Sequence, residues 1–249
     1  MKKWKLGLIV LLVVLIGFVL SIYNEFNGNP VSKFYATKVL ENHLDDTYPN
    51  REFRIDRAYY DFKFNGYGFN VIEIGTTSPQ GNGPKEYEFN IRGFLKPEVM
   101  IDGIYIENLD QDLMKKLADE AGEEIYTLLS KTVKSVRAVD VMIEFQKGKF
   151  PSDTNWDKKL KFEKPLGMHI VLDATKSTKE TVLQEVKKIQ SILNKQGYDY
   201  ESVNINANII SDDDGYMKDK SEYYGYLKFA TSFSKTTKLK LNDLKEFNQ

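Results

Sequence analysis

The sequence predicts an α+β protein in which an N-terminal transmembrane helix precedes two small halves, each combining an antiparallel sheet with helices. Three observations support this fold class. Residues 6–20 are all apolar or glycine. Polar and apolar residues alternate at 203–209, which predicts a strand with one buried face. Segments 113–132 and 182–193 carry apolar residues three or four positions apart, the spacing of amphipathic helices.

The apolar segment is predicted to be an uncleaved signal anchor within residues 1–23. With residues 21–23 it reaches about 18 residues and roughly 27 Å as a helix, close to the ~30 Å hydrocarbon core of a bilayer. The apolar regions of signal peptides are usually shorter, about 7–15 residues, and no pair of small residues suited to cleavage follows Leu20. Residues 6–23 are therefore expected to contact the lipid bilayer. The predicted membrane-contacting side chains include Leu6, Leu11, Leu15, Phe18 and Leu20.

The residues that flank this segment predict its orientation. Lys2, Lys3 and Lys5 precede it, and positively charged flanks stay on the cytoplasmic side of the membrane. Trp4 and Tyr23 lie at its two ends, where aromatic rings favour the membrane interface. We therefore expect a single-pass protein of the plasma membrane with a cytoplasmic N-terminus and an extracytoplasmic body. The alternatives are cleavage that releases a secreted protein and burial of the segment as a core helix.

The composition narrows the classes of function. The chain has 249 residues and a formal net charge of −1, and its first three lysines precede the apolar segment. The body is therefore slightly acidic and lacks the concentrated basic surface of a nucleic-acid-binding protein, so no nucleic-acid partner is expected. The chain has no cysteine, which excludes disulfides, thiolate metal sites and lipid attachment through cysteine.

The first half of the body, residues 31–149, is predicted to be an α+β domain. A short polar tether at residues 24–30 precedes it. Asn65-Gly66 is the strongest short signal for a β-hairpin and separates two predicted strands. The remaining predicted elements are a helix at 31–44, strands at 86–91 and 99–106, a long helix at 109–136 and a strand at 139–145.

The charged segment 150–166 is predicted to be a linker, and residues 167–249 a second α+β domain of order β-α-β-β. Ser177 and Glu180 have the spacing of a capping box that begins a helix, and Gly197 is placed to end that helix. In the strand that follows, apolar residues alternate with asparagines, which predicts a polar outer face. Residues 223–233 are predicted to be its hairpin partner. The asparagines of the strand are Asn204, Asn206 and Asn208.

The densest acidic cluster is Asp212, Asp213 and Asp214, and it predicts either a hairpin loop or a weak divalent-cation site. Two of these residues match positions 3 and 5 of a calcium-binding loop, but the residues at positions 1 and 12 are not calcium ligands. The chain has two histidines, His43 and His169. We expect each to be a surface residue or a hydrogen-bonded core residue, so a zinc site of the usual kind is not expected.

No catalytic motif supports an enzyme, since the nucleophile motif G-x-S-x-G does not occur in the sequence. We therefore expect neither an enzyme nor a cofactor. A carboxylate pair of the glycosidase type stays open, because distances between acidic side chains cannot be read from a sequence. The tyrosine-rich strands also leave open an exposed aromatic surface that stacks on sugars or anchors a partner protein.

The chain resembles the YfjL-like group of membrane-anchored proteins of Bacillus-type bacteria. This resemblance implies a membrane-tethered, extracytoplasmic α+β body, and it implies no activity and no catalytic residues. The features that carry it are the lysine-rich anchor and the motifs Asn29-Pro30, Tyr35-Ala36, Tyr48-Pro49 and Tyr59-Tyr60-Asp61-Phe62-Lys63.

Two functions follow as hypotheses. The first is an interaction or sensing module at the cell envelope, with another envelope protein or a cell-wall component as its partner. The second is a domain that binds or hydrolyses a cell-wall ligand. We favour the first because the chain combines an anchor and a folded body without a recognisable catalytic motif.

Overall fold

The computed structural model describes residues 2–78, 81, 83–94, 96–210 and 225–247. The backbone divides between Asn108 and Leu109 into two units, and each unit has its own sheet and its own hydrophobic core. The predicted α+β class, with a long apolar helix at the N-terminus, is confirmed. The division lies well before segment 150–166, where the sequence predicted a linker.

The first unit begins with two helices and continues with an antiparallel sheet whose four strands lie in chain order. Pro30 begins the second helix, where its missing N–H removes no helical hydrogen bond. Asn29 caps the same helix by accepting a hydrogen bond from the backbone N–H of Ser32. The elements are α1 (Lys2–Asn27), α2 (Pro30–Thr47), β1 (Phe53–Asp61), β2 (Gly66–Glu73), β3 (Glu86–Arg92), β4 (Glu98–Asp102) and α3 (Gly103–Glu107).

The predicted hairpin at Asn65-Gly66 is confirmed, with Asp61 of β1 paired to Gly66 of β2. Asn65 has a φ of 49°, a left-handed conformation that asparagine tolerates better than most residues. Helices α2 and α3 each bury one apolar stripe in a common core with the strands, through Ala36, Leu40 and Leu44 of α2 and Ile104 of α3. The largest fully buried side chains of this core are Leu40, Phe69, Phe89, Ile91 and Ile104.

The connection between α1 and α2 consists of Gly28 and Asn29, which we call the helix joint. Helix α1 continues through Asn27, so most of the segment predicted to be a tether is helical. The buried Tyr67 hydroxyl accepts a hydrogen bond from the Asn29 N–H and donates one to the Asn29 carbonyl, both at 2.8 Å. Gly28 has a φ of 68°, and a Cβ atom there would lie 2.3 Å from the Tyr67 hydroxyl oxygen. The joint is therefore a packed corner that holds α1 against the first unit.

The second unit contains a five-stranded sheet in the order β5-β6-β7-β8-β9. Its two helices contribute their apolar stripes to one core with the inner face of the sheet. A short 3-10 helix at Leu241–Asp243 precedes the last strand. The other elements are α4 (Gln111–Ser130), β5 (Val136–Met142), β6 (Leu166–Asp173), α5 (Lys179–Gln196), β7 (Tyr200–Ile210), β8 (Gly225–Phe233) and β9 (Lys245–Glu246).

Strands β6 and β7 are parallel, so this sheet is mixed and the prediction of a wholly antiparallel sheet was wrong. Helix α5 carries the chain back along the sheet, and β7 therefore starts at the same end of the sheet as β6. Thr178 caps α5 by accepting from the backbone N–H of Thr181, so the helix begins one residue later than the capping box at Ser177 predicted. Gly197, with a φ of 76°, ends α5 as predicted.

Segment 150–166 packs on the core of the second unit. Phe150 and Phe162 lie with their ring centroids 5.0 and 5.9 Å from that of the buried Phe145. Trp156 stacks on Phe162 with the two rings 5° from parallel. These aromatic side chains are irregularly spaced among charged residues, which is why periodicity did not reveal that the segment is anchored.

Candidate functional site

The side chains predicted to contact the membrane lie on α1. Leu11, Leu15, Phe18 and Leu20 each expose between 57% and 63% of their surface, and none of the most apolar stretch is buried. Leu6 also lies within α1, but its side chain is outside the described part of the structure. Among the described residues, the N-terminal helical segment is the one that is long and apolar enough to cross a membrane. A helix of this length and composition near the N-terminus is consistent with a signal anchor or a signal peptide.

A cleft of about 780 Å³ lies on the second unit, between the outer face of the sheet and residues 237–245. We call it the polar cleft. Its floor is formed by strands β6, β7 and β8, whose alternation places apolar residues in the core and polar residues on this face. The polar residues that β6, β7 and β8 contribute to the lining are His169, Asn204, Asn206, Thr231 and Ser232.

The strand register arranges part of this floor in a row. Asp140 lies opposite His169, His169 opposite Asn204, and Asn204 opposite Ser232. Residues directly opposite on neighbouring strands present their side chains on the same face of a sheet. The His169 Nδ1 atom lies 3.5 Å from the Asp140 Oδ2 atom. The row therefore offers amide, hydroxyl and imidazole groups, which can both donate and accept hydrogen bonds.

Three lysines, Lys238, Lys240 and Lys245, form a wall of the polar cleft. They are held there because β9 pairs with β8 and brings the C-terminal segment back over the sheet. Within the described part of the chain, none of the three forms an ion pair. The lining contains one carboxylate, Asp243, which accepts a hydrogen bond from the Lys240 backbone N–H at 2.7 Å. The described lining of the polar cleft thus has an excess of positive charge.

Polar groups continue along this face to the carboxyl ends of β6 and β7. Arg137 donates a hydrogen bond to Asp173 at 3.0 Å, and Asp173 lies opposite Asn208. Burial raises the pKa of Asp173, but hydrogen bonds from Thr175 and Arg137 outweigh it and lower that pKa. The Arg137 Nε and Asn208 Oδ1 atoms are buried and have no hydrogen-bond partner among the described residues.

The acidic residues proposed for a cation site, Asp212, Asp213 and Asp214, lie outside the described residues. In the part of the chain that the structure describes, no group of three histidine, aspartate or glutamate side chains is arranged to hold a metal ion. The two histidines belong to different units, His43 to the first and His169 to the second.

His43 takes part in a hydrogen-bonded cluster around Asp102 in the first unit. Its Nε2 atom lies 2.7 Å from Asp102 Oδ2, and the Tyr48 hydroxyl donates to the same oxygen at 2.9 Å. The other carboxylate oxygen accepts from the Tyr105 N–H and caps α3. Burial and the hydrogen bond to Asp102 raise the pKa of Tyr48. Both oxygens of Asp102 are occupied, so this cluster ties α2 to the start of α3.

A second cluster in the first unit joins Arg51, Glu73 and Tyr87. Arg51 donates two hydrogen bonds to Glu73 at 2.6 and 2.7 Å, and Tyr87 donates one to Glu73 at 2.9 Å. The hydrogen bond from Arg51 lowers the pKa of Glu73, although burial acts in the opposite direction. Burial and the bond to Glu73 raise the pKa of Tyr87 to about 12. Each of the three groups is paired with another, so we assign the cluster a structural role.

Glutamates of α4 line an open groove of about 610 Å³ on the second unit. Glu120 accepts a hydrogen bond from the Trp156 backbone N–H at 2.7 Å. Glu124 accepts from the Trp156 indole and from the Tyr198 hydroxyl. Burial and the bond to Glu124 raise the pKa of Tyr198. These two carboxylates therefore fasten segment 150–166 and the start of β7 to α4.

Sequence reasoning found the floor of the polar cleft in part and missed its lysine wall. The alternating asparagines signalled a polar outer face on β7. The wall comes from a segment more than thirty residues further along the chain, beginning at Lys238. The alternation Lys238-Leu239-Lys240-Leu241 could have signalled an extended segment with its lysines exposed, because Leu239 is buried and both neighbouring lysines are exposed.

Two family models match the chain. The model described as YfjL-like, N-terminal domain, matches residues 1–103, and the model described as YfjL-like C-terminal domain matches residues 120–245. The uncharacterized protein YfjL of Bacillus subtilis (strain 168) is 32% identical over 246 residues, which cover 99% of both chains. The crystal structure of a DUF5037 family protein from Ruminococcus gnavus covers 71% of this chain and 75% of its own, with 12% identity and a TM-score of 0.24. A TM-score this low does not establish a shared fold.

Proposed function

The chain belongs to the YfjL-like family, and we propose that it is a single-pass plasma-membrane protein whose extracytoplasmic body is an interaction or sensing module of the cell envelope. In this proposal α1 anchors the chain with its N-terminus in the cytoplasm. The polar cleft binds the ligand, which is an anionic component of the envelope rich in hydroxyl or amide groups.

The exposed apolar surface of α1 supports the anchor. A soluble protein would leave these leucines and phenylalanines in water, at a cost of about 25 cal/mol for each Å² of apolar surface. A bilayer removes the whole surface from water. The absence of a pair of small residues after Leu20 favours retention of the segment over its cleavage.

The observation that carries the binding proposal is the lysine wall facing a floor of amides. Lys238, Lys240 and Lys245 have no carboxylate partner within the described part of the chain, so their charge is available to an anion. The amides of Asn204 and Asn206 offer donors and acceptors beside them. No phenylalanine, tyrosine or tryptophan side chain lines the described cleft, so recognition would depend on hydrogen bonds and charge rather than on stacking against sugar rings.

Titration calorimetry of the full chain in detergent with glycerol 3-phosphate tests this proposal, with uncharged glycerol as the reference compound. We expect heat of binding for the phosphate ester and none for glycerol, and weaker binding as the salt concentration rises. Lys238→Gln and Lys240→Gln together should weaken binding roughly tenfold or more, since each charge-assisted hydrogen bond contributes about 1.5–3 kcal/mol.

Lys235→Gln is the matched control for these variants. Lys235 is an exposed lysine of the same segment, but it pairs with Asp199 at 2.7 Å and does not line the polar cleft. This variant should bind glycerol 3-phosphate as the unmodified chain does. Equal losses in Lys235→Gln and in the cleft variants would refute a site at the polar cleft, and so would binding of glycerol as tight as that of its phosphate.

The membrane topology can be tested with single-cysteine variants, because the chain has no cysteine of its own. Thr236→Cys and Lys5→Cys place a thiol at exposed positions, one after and one before the apolar segment 6–20. In intact cells, a maleimide that cannot cross membranes should label Thr236→Cys, and it should label Lys5→Cys only after permeabilisation. Labelling in the opposite order would overturn the proposed orientation. Loss of residues 1–23 from the mature chain, measured by mass spectrometry, would overturn the anchor.

A further inference from the structure

We propose that one end of the four-stranded sheet lies against the outer surface of the bilayer that α1 spans, with exposed phenylalanines inserted at the interface. We call it the turn end, because it carries the turn from β1 to β2 and the turn from β3 to β4. This inference rests on the proposed membrane anchor and specifies its partner surface, which is lipid.

The strand pairing places both turns at the same end of the sheet. Gly66, the first residue of β2, pairs with Asp61 at the end of β1 and with Arg92 at the end of β3. The connection from β2 to β3 therefore lies at the opposite end, beyond Glu73. Three exposed aromatic side chains occur in the two turns at the turn end, with 50–57% of their surface accessible. They are Phe62, Phe64 and Phe94.

The turn end is close to the point where α1 leaves the predicted span. Phe26 follows Tyr23 by three residues, or about 4.5 Å along the helix axis. Its ring centroid lies 5.6 Å from that of Phe62. The headgroup region extends roughly 5–8 Å beyond the hydrocarbon core on each side of a bilayer. Phe26 and Phe62 are therefore at the depth where aromatic side chains favour the membrane interface.

The helix joint holds this arrangement. Tyr67 binds both backbone groups of Asn29, and the Asn29 amide donates to Asn24 Oδ1 at 2.6 Å, which ties the joint back to α1. Gly28 is packed against the Tyr60 and Tyr67 side chains. Because α1 is fixed to β1 and β2 in this way, a bilayer that α1 spans up to Tyr23 lies close to Phe62 at the turn end.

The balance of charges around the turn end indicates that its contact with lipid is mainly apolar. Basic and acidic side chains are equal in number there, so attraction to anionic headgroups is not required for insertion. The basic residues are Lys63, Arg92 and Lys96, and the acidic residues are Glu25, Asp61 and Glu98.

Spin labelling of single-cysteine variants tests the inference in the full chain reconstituted into neutral phosphatidylcholine bilayers. Labels at Phe62→Cys and Phe94→Cys should be several-fold more accessible to oxygen, which partitions into lipid, than to a water-soluble nickel complex. Ile74→Cys is the matched control, because Ile74 is equally exposed, at 52%, and lies at the opposite end of the sheet. The label at Ile74→Cys should be more accessible to the nickel complex than to oxygen.

A label at Leu15→Cys separates failure of this inference from failure of the anchor. If Leu15→Cys is buried in lipid while labels at 62 and 94 are as accessible to nickel as the label at 74, the turn end does not touch the membrane. If the Leu15→Cys label itself is in water, the proposed anchor is wrong. If one of the first variants fails to fold, labels at Phe64→Cys and Phe26→Cys provide the same test. Labels exposed to water at both of these positions would also overturn the inference.

Discussion

The Arg51 cluster of the first unit and the polar cleft of the second unit use polar side chains in opposite ways. In the first unit, Arg51, Glu73 and Tyr87 satisfy one another at the edge of the core, with hydrogen bonds of 2.6–2.9 Å. In the second unit, the lysines of the polar cleft have no ion-pair partner among the described residues. A closed cluster contributes to stability and has little capacity left for a ligand. An open cluster contributes little to stability, and its hydrogen-bonding groups are available.

The Arg51 cluster and the polar cleft are both rich in charged groups, so charge alone does not separate a structural cluster from a binding surface. They differ in whether each charged group already has a partner. The variants below test this difference. They run from the largest expected loss of stability to the smallest.

Arg51→Met should produce the largest loss, because it leaves the Glu73 carboxylate buried without its main partner. Removing one member of a buried ion pair costs about 3–5 kcal/mol. Hydrogen exchange measured by mass spectrometry should show this loss in peptides from β2 and β3. Lys115→Met is the control, because Lys115 pairs with Asp119 on an exposed helix face and such pairs contribute about 0.5 kcal/mol or less. A loss below about 1 kcal/mol for Arg51→Met would remove the distinction between the two clusters.

Gly28→Ala should cost about 3 kcal/mol, because it combines an unfavourable left-handed backbone conformation with a steric clash. Gly197→Ala has a similar φ, 76° against 68°, but a Cβ atom there would meet nothing within 4 Å. It should therefore cost only about 1–2 kcal/mol. Thermal unfolding of the two variants gives the difference between their losses of stability. This difference measures the packing of the helix joint. Equal losses would show that the joint is not tightly packed.

The Arg51 cluster should also make the first unit sensitive to acid. The pKa of Glu73 is lowered from its ordinary value of 4.5, so the stability it contributes is fully present above that pH. This stability is lost as the pH falls through the lowered pKa. Glu73→Gln should therefore flatten the decline of stability below pH 4.5, measured by urea unfolding at several pH values, while the unmodified chain keeps its steeper decline. Parallel declines in the two proteins would contradict the assignment.

Asn204→Ala should have the smallest effect on stability, less than about 0.5 kcal/mol, because Asn204 is exposed and has no hydrogen-bond partner among the described residues. The same variant should weaken the binding of glycerol 3-phosphate. Chemical unfolding and calorimetry on one preparation give both values. A loss of stability above about 1.5 kcal/mol with unchanged binding would make the cleft floor a structural element and would end the contrast between the units.

Local signals in the sequence predicted most of the elements and half of the candidate site. The Asn65-Gly66 turn, the Gly197 cap and the asparagine-lined strand each depend on residues close together in the chain, and each is present. The lysine wall depends on the pairing of β9 with β8, which no local pattern specifies. The parallel pairing of β6 and β7 was missed for a related reason, since strand direction depends on the path of α5 and not on strand composition.

The sequence by itself determined that this chain has an apolar N-terminal helix, an α+β body and a polar face on β7, because periodicity and residue size act over neighbouring positions. Only the tertiary structure decided where the polar groups meet. It showed that the predicted tether at residues 24–30 contains the end of α1 and the packed helix joint, and that Phe26 lies beside Phe62. These arrangements depend on contacts between residues distant in the chain, such as Asn29 with Tyr67, whose geometry is set by the packing of the whole unit.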